Sequence, residues 1–116
     1  MDAFLRAWGD PDGAARRALL ETCTTQDVVF RDAFSATDGR EELLANLEAV
    51  QIHMPGVALE REGPLRVSHG TAIAGWIARR GGQTAARGTN VHEFAPDGIA
   101  RIAGFWGAGP SEEGCA

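Results

Sequence analysis

Apolar and polar positions follow two rhythms along this chain, a helical spacing up to about Met54-Pro55-Gly56 and a strand-like alternation after it. In the first part, Phe4, Leu5 and Trp8 give a short helix through Trp8 that Asp2 can cap, and Gly9-Asp10-Pro11-Asp12-Gly13 breaks it. A second helix, capped by Asp10 or Asp12, is predicted from about Ala14 to Cys23, with Ala15, Ala18, Leu19 and Thr22 as its stripe, ended by Thr24-Thr25-Gln26. The β-branched and aromatic run Val28-Val29-Phe30 reads as a strand that delivers Asp32 at its end. After an irregular stretch from Ala33, Asp38 can cap a third helix running from Gly39 or Arg40 to about Ile52. Glu41 and Glu42 suit the positive end of that helix, and Leu43, Leu47 and Val50 form its buried stripe.

Beyond Gly56 the pattern predicts strands over Val57 to Glu62, Leu65 to Ala78 and Gln83 to Phe94, then a closing run from Ile99 to Trp106. Gly70 and Gly75 interrupt the long second strand and suggest bends in a curved sheet. The last two strands meet at Ala95-Pro96-Asp97-Gly98, the strongest hairpin signal in the chain. Alternation puts Asn90, His92 and Phe94 on one face of the first arm, with Val91 and Glu93 opposite. On the second arm it groups Ala100, Ile102, Gly104 and Trp106 against Ile99, Arg101, Ala103 and Phe105. Neither arm has a cleanly polar face, so helices are expected on one side of the sheet and a second copy of the chain on the other.

Helices first and strands afterwards is an α+β order. A length of 116 residues allows one domain with one core. The single domain is expected over residues 1–107, with a flexible tail rich in Gly, Ser and Glu at 108–116.

Composition narrows the chemistry. A net charge of −5 and only two adjacent arginine pairs leave no basic stripe for nucleic acid. No apolar run approaches the roughly 20 residues of a membrane span, and residues 1–17 lack the pattern of a signal peptide, so the expected setting is the cytoplasm, away from membranes. Cys23 and Cys115 have no metal or redox spacing and read as free thiols. His53, His69 and His92 lack paired ligand spacing, so no metal is expected. All 11 basic residues are arginine and tyrosine is absent, which excludes lysine Schiff-base catalysis and any phenolic proton donor.

The order of several phrases resembles the nuclear transport factor 2-like superfamily, in the branch that includes SnoaL-like polyketide cyclases and ketosteroid isomerase. The phrases are Phe4 to Asp12 followed by Leu19-Leu20, Val29-Phe30-Arg31-Asp32, and Gly39-Arg40-Glu41-Glu42-Leu43. They continue with Pro55-Gly56, His69-Gly70, Trp76, Gly88 and the closing Asp97 to Phe105. The resemblance implies a cone-shaped, curved, mostly antiparallel sheet packed on three N-terminal helices, a cystatin-like roll around a deep apolar pocket. It also implies a homodimer paired through the outer sheet face, and no cofactor.

The same resemblance places Asp32 where ketosteroid isomerase has its general base. A carboxylate beside an apolar pocket can move a proton on a carbon next to a carbonyl. The chain departs from that enzyme at both oxyanion partners, carrying Phe4 where the tyrosine stands and Asn90 where the acid stands. Phe4 donates nothing, whereas the Asn90 amide can still orient a carbonyl oxygen. An acid aligned near position 90 in SnoaL-like cyclases is likewise replaced. The expected catalytic set is therefore Asp32, Asn90 and His92, with His92 or His69 assisting proton return.

The expected ligand contacts are Phe4, Trp8, Phe30, Leu47, His69, Trp76, Ile102 and Trp106, aromatic or apolar apart from His69. Which face of its strand Trp76 occupies is left open by the position of the bulge. Two functions follow. One is a binder of a small hydrophobic, carbonyl-bearing ligand with isomerase- or cyclase-type proton transfer at Asp32. The other is a non-catalytic ligand-binding or dimerisation module in which Asp32 bonds only to nearby backbone or arginine.

Overall fold

The computed structural model describes residues 1–107; the expected tail at 108–116, with Cys115, lies outside them. Helices α1 (Asp2–Gly9) and α2 (Gly13–Cys23) come first, followed by strands β1 (Thr24–Arg31) and β2 (Ala36–Asp38) and helix α3 (Arg40–His53). Four strands then follow, β3 (Ala58–Ser68), β4 (Thr71–Arg80), β5 (Gln83–Ala95) and β6 (Gly98–Trp106). They build one six-stranded sheet in the order β2-β1-β6-β5-β4-β3, antiparallel except where β1 lies parallel to β6. The α+β class and the curved sheet closed by three helices are as expected. No helix among the described residues is long and apolar enough to cross a membrane.

The helices are held on one face of the sheet by apolar burial. Phe4, Leu5, Leu20, Leu43 and Leu47 are at most 1% exposed and meet Val28, Ile99 and Ile102 from the sheet. The caps differ from the sequence reading. Asp2 lies inside the first turn of α1 and pairs with Arg61 of β3 at 3.1 Å, while Met1 holds the N-cap position. Asp12 caps α2 as expected, its side chain accepting from the Ala14 amide. The buried line of that helix runs through Arg16 and Leu20, and Ala18 and Thr22 are exposed. Arg16 is buried because its guanidinium donates to the Asp10 carbonyl at 2.6 Å, which ties the α1–α2 turn. Asp38 belongs to β2 and accepts from Arg31 at 2.9 Å, so Gly39 holds the N-cap of α3. The stretch expected to be irregular after Ala33 thus contains a strand, made by pairing Arg31 with Ala36 and Val29 with Asp38.

Two strand boundaries also move. Gly63-Pro64 does not separate strands; it lies in a register break between Glu62 and Arg66 inside β3, an edge strand where the missing proline N–H is tolerated. The turn falls instead at His69-Gly70, where φ is +45° and +78°, and it divides the predicted Leu65–Ala78 strand between β3 and β4. On β6 a bulge opposite Glu93 and Phe94 leaves Ala100 unpaired, so Ile99 turns inward and is 1% exposed, against the simple alternation. Phe94 shares the inward side with His92 but lies at the sheet's end and stays 43% exposed.

Candidate functional site

The register of β4, β5 and β6 sorts the inward side chains into cross-strand rows. Ala72, His92 and Ile102 form one row, continued by Phe30 on β1. The next is Ala74, Asn90 and Gly104, and the third is Trp76, Gly88 and Trp106. Asp32 follows Arg31, which pairs with Ala103, so the middle row extends through Gly104 to Asp32. A side chain at Gly104 would come within 3.1 Å of Asn90 Oδ1 and 3.3 Å of Asp32 Cβ. The glycine therefore lets the acid and the amide face the same space from either side of it.

That space is a cavity of about 430 Å³, within the range of small-molecule sites. Its wall is mostly apolar, with Phe30, Trp76 and Trp106 from the sheet and Trp8, Val50 and Met54 from the helices and the end of α3. Trp76 points inward and is 5% exposed, which answers the question left by its strand. The indoles of Trp76 and Trp106 meet edge to face at 5.4 Å across Gly88, and Phe34 stands edge-on to Trp106 at 5.1 Å. Trp8 is fixed from behind by Gln51, whose amide donates to the Trp8 and Val57 carbonyls.

Asp32 lines this cavity and is half-buried. Its Oδ1 accepts from the backbone amides of Phe34 and Ser35 at 2.8 and 2.7 Å, and its own amide donates to the Ser35 carbonyl at 3.0 Å. The carboxylate thereby organises the turn that leads to β2. Among the described residues no hydrogen bond engages Oδ2.

Asn90 is 5% exposed and its Oδ1 accepts from Trp76 Nε1 at 3.0 Å. An indole N–H can only donate, so this bond fixes which end of the amide is oxygen. The Asn90 Nδ2 then faces His92 Nε2 at 3.4 Å, which puts the imidazole proton on Nδ1. Burial, reinforced by the charge of the chain's N-terminal amine, pushes the His92 pKa down to about 3. His92 is fully buried, stands edge-on to Phe4 at 5.3 Å, and does not reach the cavity. It is a neutral support behind Asn90, which corrects its expected place among the proton-transfer groups.

The other expected contacts divide cleanly. Trp8, Phe30, Trp76 and Trp106 line the cavity, together with Asp32 and Asn90. Phe4, Leu47 and Ile102 are at 0% exposure in the core behind it, because helix packing closes over them. His69 is an exposed residue of the β3–β4 turn and takes no part.

Sequence reasoning missed Ser35 and Asn46, which meet through a hydrogen bond from Ser35 Oγ to Asn46 Oδ1 at 2.9 Å and both line the cavity. A signal for Asn46 existed: Leu43, Asn46, Leu47 and Val50 sit at i, i+3, i+4 and i+7, so an amide interrupts the apolar stripe of α3. Among the described residues no group of three or more His, Cys, Asp or Glu is arranged to hold a metal ion.

No protein-family model matches this chain, and no curated protein matches it. Its fold is nevertheless shared with solved structures. A candidate isomerase of the SnoaL-like family from Agrobacterium tumefaciens superposes with a TM-score of 0.86 at 22% identity, over 91% of this chain and 92% of that one. An NTF2-like protein of unknown function from Exiguobacterium gives 0.73 at 14% identity, over 92% and 97%. A candidate SnoaL-like polyketide cyclase from Jannaschia gives 0.70 at 16% identity, over 89% and 78%. The chain thus shares its fold with these SnoaL-like and NTF2-like structures.

Proposed function

We propose that this protein receives a small apolar, carbonyl-bearing ligand in its cavity, with Asp32 accepting a proton from the carbon beside the carbonyl and Asn90 donating to the carbonyl oxygen. The observation that carries this reading is the row Asp32, Gly104, Asn90, in which a glycine leaves one acid and one amide side by side on an apolar wall. Oδ2 of Asp32 is the oxygen left for the substrate, since Oδ1 is held by the turn. In a β,γ-unsaturated ketone the same carboxyl group returns the proton to the γ carbon of the dienolate while the double bond moves into conjugation with the carbonyl, with His92 outside the exchange. This is the balance of an isomerisation: one C–H bond breaks, another forms, and nothing is oxidised or reduced. Likeness in fold to a candidate isomerase and a candidate cyclase agrees with this chemistry.

The test follows deuterium exchange at the carbon beside the carbonyl, by NMR, for a panel of steroid, polyketide-fragment and terpenoid ketones. Asp32→Asn is expected to bind within a few fold of the unaltered protein and to lose about 10²-fold or more of the exchange rate. Exchange equal in both proteins would leave only the second reading, a binder without chemistry. That reading is favoured by the two turn amides bound to Asp32, which give the carboxylate a structural duty of its own.

We further propose that two copies pair through the outer sheet face, where Ile73, Val91 and Ala103 form one row and Phe105 stands in the next. Ile73 and Phe105 are 40% and 58% exposed, an apolar centre bordered by the Arg87–Glu62 and Arg79–Glu60 ion pairs. Sedimentation equilibrium should give twice the chain mass, and Phe105→Glu should give the single mass with the cavity's ligand binding retained. A single mass for the unaltered protein at micromolar concentration rules the pairing out.

A further inference from the structure

Two amides stand on the cavity wall, and in each the oxygen is already occupied by the protein. Asn90 Oδ1 accepts from Trp76 Nε1, and Asn46 Oδ1 accepts from Ser35 Oγ. An amide held by its oxygen presents only hydrogens to a visitor: Asn90, whose orientation the indole fixes, keeps one N–H beyond the one facing His92, and Asn46 keeps both with Ser35 Oγ as the donor. Asn90 belongs to the sheet wall beside Asp32, whereas Asn46 belongs to α3, where Trp8 of α1 joins the same cavity. Among the described residues Asn46 Nδ2 and Trp8 Nε1 are buried donors with no hydrogen-bond partner. Trp8 as a whole is 8% exposed. A buried donor left unmatched destabilises the protein that holds it, so one cavity with two of them calls for an account.

We propose that Asn46 and Trp8 form a second polar anchor of the cavity, so that its preferred ligand is an apolar molecule bearing two acceptor oxygens. One oxygen is received beside Asp32 and Asn90, the other by Asn46 Nδ2 or Trp8 Nε1. This inference rests on the cavity being a ligand chamber. Both side chains line the cavity, and the bond forms when either one turns its nitrogen onto a ligand oxygen. Neither nitrogen has a partner among the described residues, so the bond displaces no other within the protein. With Ser35 Oγ donating to Asn46, the free groups at this anchor only donate, so a second carbonyl or ether oxygen is recognised there and an ammonium group is not. A wholly apolar ligand would be served better by leucine at position 46, which would continue the stripe of Leu43, Leu47 and Val50.

The test compares a decalin monoketone with a set of decalin diketones whose second carbonyl is placed at each ring position in turn, by titration calorimetry. The best diketone is expected to bind about fivefold tighter than the monoketone. That ratio should fall towards one in Asn46→Leu, in Trp8→Phe, or in the double variant. Should Asn46→Leu fail to fold, Asn46→Asp keeps the oxygen that Ser35 needs while removing the donors. Equal affinity for all ketones in the unaltered protein, or the full ratio surviving in the double variant, overturns the second anchor and leaves the chamber standing. Binding of no ketone at all overturns the chamber and the anchor together.

Discussion

Stability is expected to fall by about 1.4 kcal/mol for each pH unit as the solution is taken below His92's ordinary pKa of 6.5 towards its folded value of about 3. The sign follows from where the proton prefers to be. In the unfolded chain the imidazole protonates below pH 6.5, but in the fold it is shut away from water against Phe4 and cannot accept charge until about pH 3. Acid therefore favours the unfolded chain across this window, and above pH 6.5 the contribution is complete and flat. Urea unfolding at stepped pH reads the slope directly. His92→Leu, close in size and unable to titrate, should remove most of it between pH 6.5 and 4.5, above the range in which the Arg17-paired Glu41 takes up its proton. Equal slopes in the two proteins would mean that His92 takes up its proton in the fold as readily as in the unfolded chain.

Gly88→Ala is expected to cost about 3 kcal/mol, a loss of roughly 12–20 °C in melting temperature for a domain of this size. The added carbon would stand 2.2 Å from Trp76 Cζ2 and 2.3 Å from the Phe105 carbonyl oxygen. No rotation of a flexible side chain relieves such contacts, because one neighbour is backbone and the other is an indole fixed by its bond to Asn90. The same substitution moves Trp76 off Asn90 Oδ1 and frees the amide to rotate. Ligand affinity should thus fall along with stability, and thermal melting with a binding titration on the surviving fold reads both. A melting temperature within 3 °C of the unaltered protein would show that the packing between Trp76 and Trp106 yields more easily than these distances allow.

The locations of these two effects explain what was legible beforehand. Local rules placed the three helices to within a residue or two, because glycine, proline and capping aspartate act on their own neighbours. They failed at Gly63-Pro64, which reads as a strand break, and at His69-Gly70, where the glycine reads only as a bend within a strand, since the register with β4 decides where the chain reverses. Alternation put Asn90 and His92 on the inward face correctly, but it could not tell a cavity wall from a packed core. His92 and Ile102 share a row that the helices cover, and Asn90 and Gly104 share the next, which they leave open. Ile99 was assigned to the wrong side because a single unpaired residue, Ala100, shifts the pleat by one.

By itself the sequence determined the class of fold, the three helices, the position of Asp32 at a strand end and the absence of any phenol or lysine that could serve it. Each of these depends on residue type and on spacing within one segment. Tertiary structure alone decided that Asp32 and Asn90 meet across Gly104, that His92 lies too deep to titrate near neutrality, and that Asn46 reaches the cavity at all. Those outcomes depend on the register between strands and on how much of the sheet the helices cover, and both are set by contacts between segments far apart in the chain.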